Sequence, residues 1–390
     1  MNAAGPRQKT LALLRSRRRI EQGRGCVRRP IVILFSDDST LIFARRMREV
    51  LQAAELDCAV EMAWFTDESA LSYRQITQLL PQGPDRVLDG KKLVSLMRDA
   101  TVRAIFTSRI YRGMQQPLNS PAARWSGNRP CILSFLGGLD FFPAQGFARR
   151  GNCDGVYMFP RSAIDDYTQQ VGQHTQGWQE IGFGHPSVMR PDGPPADLAD
   201  RRDIYFFTQA LSPSTLRGRL HMLRVMAAIA KANPERRVFI KLRHLPSENR
   251  QHLHLEKYDY PGLMAQLGPL PPNLLLTDIT MEEALETAAL GITCTSTAAM
   301  DLLRAGLPCM VYLDFVDAYR DPLVPPMRKM FQGSGVITST EDLLNLKPGA
   351  LNPQWLEDMF CPDDLGARVL ETLDRFHARD FQIRRELPSP

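Results

Sequence analysis

The chain has 390 residues, more than one ordinary core accommodates, which at roughly 150 residues per domain predicts two or three domains. Its 44% hydrophobic and 23% charged residues exclude wholesale disorder and a fibrous chain, and no apolar run approaches the ~20 residues of a spanning helix. The net charge of +5 is concentrated in residues 1–29, where nine Lys or Arg face Glu21 alone, so the remaining 361 residues carry −3 and lack the basic stripe of a nucleic-acid binder.

Residues 1–29 are read as a basic, disordered tail. Arg15 to Arg19 are not followed by the apolar core of a secretory leader. Residues 9–22 can form a short basic helix with Leu11, Leu14 and Ile20 near one side. Three readings stay open, in falling order: a solvated leader, a segment lying on an anionic membrane surface, where each cation adds about 1 kcal/mol, or contact with nucleic acid. The expected location is cytoplasmic, peripheral at the inner face of the cytoplasmic membrane under the second reading. Seven scattered cysteines without a CxxC pair read as reduced thiols and show no zinc site.

From residue 30 short β-branched runs alternate with amphipathic stretches. Strands are predicted at 31–35, 102–106, 132–135 and 155–158, with helices at 41–55, 91–99 and 162–171. The Pro- and Gly-rich segment 191–202 breaks the pattern and reads as a linker. Alternation resumes with strands at 204–207, 238–242, 274–276, 291–293 and 309–313, and helices at 216–232, 281–289 and 297–304. Residues 346–390 form a last, mostly helical segment. The fold class is α/β: two Rossmann-like domains, 30–190 and 203–345, facing across a cleft. Ligands of such sheets bind beyond the carboxyl ends of the strands.

Three loops of the second domain follow strands and carry suitable chemistry. Thr295, Ser296 and Thr297 stand where a strand ends and a helix begins, with Asp301 one turn in. Hydroxyls there either cap the helix or, with its N–H groups, hold a phosphate. Lys241, Arg243 and His244 end a second strand, and Gln209 and Ser212 follow a third. The cations are either a phosphate counter-charge or a solvated run. His252, His254 and Glu256 form an HxHxE in a predicted loop, a weak signal for a metal. In the first domain Asp37, Asp38 and Ser39 follow the first strand, where a carboxylate can cap the helix or act as a general base. Gly137, Gly138 and Asp140 follow the strand at 132–135, and glycines there let a ligand approach the backbone. His185 and Pro186, before the linker, read as hinge structure. Neither GxGxxG nor GxxxxGK[ST] occurs.

These residues carry a resemblance. Phe207 to Gln209 with Pro213 form its first element. Lys241 to Arg243, followed by Glu248, His254, Glu256 and Tyr260, form its second, and Ser296, Thr297, Asp301 and Gly306 to Pro308 its third. Asp38-Ser39 and Arg149, Arg150, Cys153 and Asp154 add to it in the first domain. Together they resemble GT-B-fold glycosyltransferases of bacterial surface-polysaccharide biosynthesis, of the capsule or O-antigen type. Lys241-Leu-Arg243 stands where related capsule-type transferases have Lys-x-His-Pro. The resemblance implies transfer of a sugar from a nucleotide donor to a glycan or lipid-linked acceptor, with no cofactor and no metal. It implies that Thr295, Ser296 and Thr297 hold phosphate, that Lys241 and Arg243 offset its charge, and that Asp301 touches the ribose. Gln209 and Ser212 would belong to the donor loops, and Ser39, Gly137 and Gly138 to the acceptor side. Asp38, with Asp140 second, would deprotonate the acceptor. The Gln209 loop and the hydroxyl cluster are similar to those of enzymes using CMP-activated acidic sugars, with UDP-sugars as the alternative donors. A sugar-nucleotide 2-epimerase and a non-catalytic nucleotide-sugar-binding scaffold have the same implied architecture.

Overall fold

The computed structural model describes residues 29–54, 58–120, 129–137, 143–169, 179–190, 198–252 and 254–378. The basic tail up to residue 28, Gly138, Asp140 and the linker residues 191–197 lie outside them. The chain divides into two units, one of residues 1–137, 142–186 and 364–390, the other of residues 138–141 and 187–363.

The first unit is built on β1 (Ile31–Phe35), α1 (Asp38–Ala53), β2 (Val60–Phe65), α2 (Tyr73–Leu79), β3 (Arg86–Leu88), α3 (Gly90–Leu96) and β4 (Ala104–Thr107). It continues through α4 (Arg112–Asn119), β5 (Cys131–Phe135), α5 (Pro143–Arg150), β6 (Gly155–Met158), α6 (Ala163–Tyr167) and β7 (Glu180–Phe183). All seven strands are parallel, in the order β3-β2-β1-β4-β5-β6-β7. The inner strands β1, β4, β5 and β6 are buried along their whole length, as a parallel sheet covered on both faces requires. The sequence reading finds these four and misses β2, β3 and β7. Those three alternate apolar with charged or small residues: Glu61 of β2 pairs with Arg86 of β3, and Glu180 opens β7.

The second unit contains β8 (Asp203–Phe207), α7 (Leu216–Ala232), β9 (Val238–Lys241), a 3-10 turn at Pro246–Gln251, α8 (Tyr260–Gln266), β10 (Leu274–Thr277) and α9 (Met281–Thr287). After them come β11 (Ala288–Thr293), α10 (Ala298–Arg304), β12 (Cys309–Tyr312), a 3-10 turn at Ala318–Arg320, α11 (Val324–Phe331), β13 (Ile337–Thr338), α12 (Thr340–Leu344) and α13 (Pro353–Met359). Its six strands are also parallel, in the order β10-β9-β8-β11-β12-β13. The helix expected at 281–289 stops at Thr287, because Ala288 already pairs with Asp203 of β8. Gly291 lets α10 lie close on β11: a Cβ there would sit 2.2 Å from Leu302 Cδ1.

The final helix α14 (Leu365–His377) belongs to the first unit. Leu365, Val369, Leu373 and Phe376 form its buried face. Thr372 Oγ1 lies 2.7 Å from Tyr157 Oη, Arg368 Nη1 donates to Phe183 O at 2.7 Å, and Arg375 pairs with Glu180 at 2.7 Å. Among the described residues no helix is long and apolar enough to cross a membrane.

Candidate functional site

In the second sheet β8 lies between β9 and β11, so the loops after these three strands share one carboxyl edge. Backbone and hydroxyl bonds stitch them together. Thr208 donates from both N and Oγ1 to Lys241 O, at 3.1 and 3.0 Å, and Thr293 Oγ1 donates to Phe207 O at 3.0 Å. The edge therefore assembles Gln209 and Ser212, Lys241 and Arg243, and Thr295 to Thr297, the three groups the sequence reading singled out.

Their states differ. Gln209 folds back so that its Oε1 accepts from the N–H groups of Leu211 and Ser212, closing a tight turn. Ser212 and Thr295 are each 1% exposed, and neither hydroxyl has a hydrogen-bond partner among the described residues. An unmet buried hydroxyl costs about 1–3 kcal/mol, so two on adjacent loops form a distinct polar feature. Ser296 Oγ accepts from Ala298 N at 3.2 Å and acts as a local cap. Thr297 is exposed and makes no capping bond with its side chain, although it occupies the N-cap position. The hydroxyl cluster is thus divided: one member caps, one is exposed, and one is buried without a partner. Lys241 and Arg243 are half-buried at the end of β9 and just beyond it. Asp301 lies one turn into α10, with its Oδ1 shut off from solvent.

Beneath this edge is a buried ion pair that the sequence reading did not select. Arg219 on α7 is 1% exposed and pairs with Glu256. Its Nε donates to Pro213 O at 2.9 Å, and its Nη2 donates to Ala210 O at 2.6 Å and Gln209 O at 3.0 Å. The Tyr260 ring lies 5.3 Å below the guanidinium. Burial raises the Glu256 carboxyl above its ordinary value, while the Arg219 charge and hydrogen bond pull it down. Desolvation is the larger cause. Asn249 fixes the Glu256 backbone from both sides, and His244 and His252 stack beside it with ring centres 4.0 Å apart. Glu256 therefore braces the loop through Arg219. The signal for Arg219 was in the sequence: a cation three, four and seven residues from Met222, Leu223 and Met226, on the apolar stripe of its helix.

On the first sheet the loops after β1, β2 and β4 share the carboxyl edge. Asp37, not Asp38, caps α1: its Oδ1 accepts from Thr40 N at 2.8 Å, and Thr40 Oγ1 accepts from Asp37 N in return. Asp37 also faces Arg109 at 3.3 Å, and Arg109 faces Glu68 at 3.4 Å. Asp38 is half-exposed at the first turn, its Oδ1 accepting from the exposed Ser39 at 2.9 Å. Gly137 is exposed and approaches the ring of His185 so closely that a Cβ would sit 2.4 Å from Nε2. His185 is buried against Phe43 and Phe159, and the chain passes into the second unit just after Pro186. Burial, with the nearby Arg46 charge, pushes its pKa down to about 3, so the ring is neutral. Arg150 and Asp154 serve as braces: Arg150 binds Ser134, Gly146 O and Ser108 O, and Asp154 makes a two-pronged pair with Arg129.

Among the described residues no three His, Cys, Asp or Glu side chains converge as ligands of a cation.

A family model described as "Putative glycosyltransferase (DUF6716)" matches residues 31–376. None of the curated proteins matches the sequence. Among solved structures, a putative UDP-N-acetylglucosamine 2-epimerase from Listeria monocytogenes is similar with a TM-score of 0.56 and 12% identity, over 93% of this chain and 99% of that one. The UDP-GlcNAc 2-epimerase from Methanocaldococcus jannaschii gives a TM-score of 0.56 and 10% identity, over 88% and 99%. The Neisseria meningitidis enzyme, bound to UDP-GlcNAc, gives 0.50 and 10%, over 89% and 100%. At these identities the likeness is one of fold: two Rossmann-like units of the GT-B-like kind.

Proposed function

The chain belongs to this family of putative glycosyltransferases, and from that premise we propose that it moves a sugar from a nucleotide donor to a glycan or lipid-linked acceptor without a metal. The observation that carries the donor assignment is the carboxyl edge of the second sheet. There two buried hydroxyls without a partner among the described residues stand on the same edge as Lys241 and Arg243, Ser212 on the neighbouring loop after β8 and Thr295 on the next one, after β11. A phosphate accepts hydrogen bonds from hydroxyls and N–H groups and is neutralised by the cations, which a metal would otherwise do.

In this reading Thr295, Ser296 and Thr297 hold the phosphate, Lys241 and Arg243 offset its charge, and Asp301 meets the ribose. Gln209 and Ser212 form the wall on the β8 side. Asp38 takes the proton of the acceptor hydroxyl as its oxygen bonds to the anomeric carbon, and the bond from that carbon to the phosphate oxygen breaks. The nucleoside phosphate leaves with the electron pair, stabilised by Lys241 and Arg243. Asp140 is the second candidate base, and Ser39, Gly137 and Gly138 serve the acceptor. The cations suit a donor whose sugar is itself acidic, activated by CMP, and a UDP-sugar, with two charges on its diphosphate, is the alternative donor.

Thermal shift against CMP, CDP, UMP and UDP, with and without EDTA, tests the donor assignment. A nucleotide at 100 times its dissociation constant adds about 2.7 kcal/mol. Stabilisation by CMP, indifferent to EDTA, is expected, whereas preference for UDP turns the donor to a UDP-sugar. Loss of stabilisation in EDTA overturns metal independence. Donor turnover without any acceptor identifies an epimerase instead.

A further inference from the structure

We propose that Arg219 is a positioning residue of the donor site, holding the loop 209–213 in the shape that presents Gln209 and Ser212 to the nucleotide. This deepens the donor reading above and rests on it.

The geometry argues for the loop as the purpose of this arginine. A buried ion pair by itself stabilises little, since desolvation offsets most of the Coulomb gain. Arg219 spends its guanidinium differently. Three of its contacts are to backbone carbonyls of one short segment, Gln209, Ala210 and Pro213, and Glu256 supplies the counter-charge that lets the cation stay buried. Those carbonyls lie beyond the end of β8, where the strand ladder no longer engages them. A planar fork can bind several carbonyls on one side of a turn, a geometry that an ammonium point charge does not reproduce. The same turn is closed from the other side by Gln209 Oε1, which takes the Leu211 and Ser212 N–H groups. Arg219 therefore fixes the backbone that carries the buried Ser212 hydroxyl, while its own guanidinium is engaged by the three carbonyls and Glu256.

The first unit supplies a control. Arg129 and Asp154 form a second buried pair, which binds Pro130 O and Ile132 N at the start of β5, at the opposite end of that strand from its site loop. Both pairs are enclosed to a similar degree, and only one touches a donor loop.

The test measures the dissociation constants of CMP and UDP by calorimetry on full-length wild type, R219Q, R219K and D154N, well below each variant's melting temperature. R219Q is expected to weaken the better nucleotide about tenfold or more, and R219K, which keeps the charge and loses the fork, about fivefold. D154N is expected to lower the melting temperature and leave nucleotide affinity within about twofold. Wild-type affinity in R219Q overturns the proposal, and where R219Q does not fold, wild-type affinity in R219K overturns it. An equal loss in D154N also overturns it, since the effect is then general loosening. Wild-type protein that binds neither nucleotide removes the donor reading itself, and the role of Arg219 with it.

Discussion

Two adjacent carboxylates at the first helix divide the work. Asp37 is 5% exposed, caps α1 and faces Arg109, whereas Asp38 sits half-exposed on the same turn. Asp38→Asn is therefore expected to lower turnover by about 10²–10⁴-fold with an unchanged melting temperature. Asp37→Ala is expected to cost about 1 kcal/mol of stability or more through the lost cap and ion pair. Turnover and thermal melts on the two variants check this, and an Asp38→Asn protein with intact turnover leaves Asp38 out of the chemistry. His185 gives a second residue-scale expectation. Its folded pKa, about 3, lies below the ordinary value of 6.5, so the fold favours the neutral ring. The unfolded chain takes up a proton below about pH 6.5 that the folded one refuses, so this contribution is present above that pH and is lost as pH falls towards 3. One such proton gives a slope of about 1.4 kcal/mol per pH unit. Urea midpoints between pH 7 and 4 should fall less steeply in His185→Gln than in the wild type.

At the scale of elements, the approach of α10 to β11 holds the hydroxyl loop in place. A methyl added at Gly291 meets the branched end of Leu302, which is fully buried and has little room to turn away. Gly291→Ala should cost about 1–3 kcal/mol by overpacking, read as a lowered urea midpoint, and should weaken nucleotide binding because the Thr295 to Thr297 loop moves with the helix. Strands β1, β4, β5 and β6 were legible in the sequence because burial on both faces demands continuous apolar runs such as Ile31–Phe35. Strands β2, β3 and β7 were not, because their charges find partners only in the fold, Glu61 with Arg86 across the sheet and Glu180 with Arg375 of α14. The site shows the same division. Hydroxyls and cations placed just after strands could be read from order alone. Whether Asp37 or Asp38 caps the helix could not, since both positions suit a cap and only the backbone angle of Asp37 decides. Arg219 was the reverse case: its place on an apolar stripe was visible, but its three carbonyl partners depend on a turn that the sequence does not draw.

For the whole molecule, chain order and spatial membership part at the C-terminus. Residues 346–363 belong to the second unit and α14 to the first, so the first unit is completed only by the last described helix. Leu365, Val369 and Leu373 are fully buried and Phe376 nearly so. Four such side chains contribute on the order of 10 kcal/mol of apolar burial. That is comparable to the whole stability of a domain, about 5–15 kcal/mol. The Tyr157–Thr372 hydrogen bond and the Arg375–Glu180 pair tie the same helix to β6 and β7. Ending the chain after Asp363 should therefore unfold the first unit, while the loops after β8, β9 and β11 of the second keep all the contacts described for them. The expected result is loss of transferase turnover and of amide protection in β1, β4 and β5 by hydrogen exchange, with nucleotide affinity retained within about twofold. Protection of the first sheet that survives the truncation would mean that its core closes without α14.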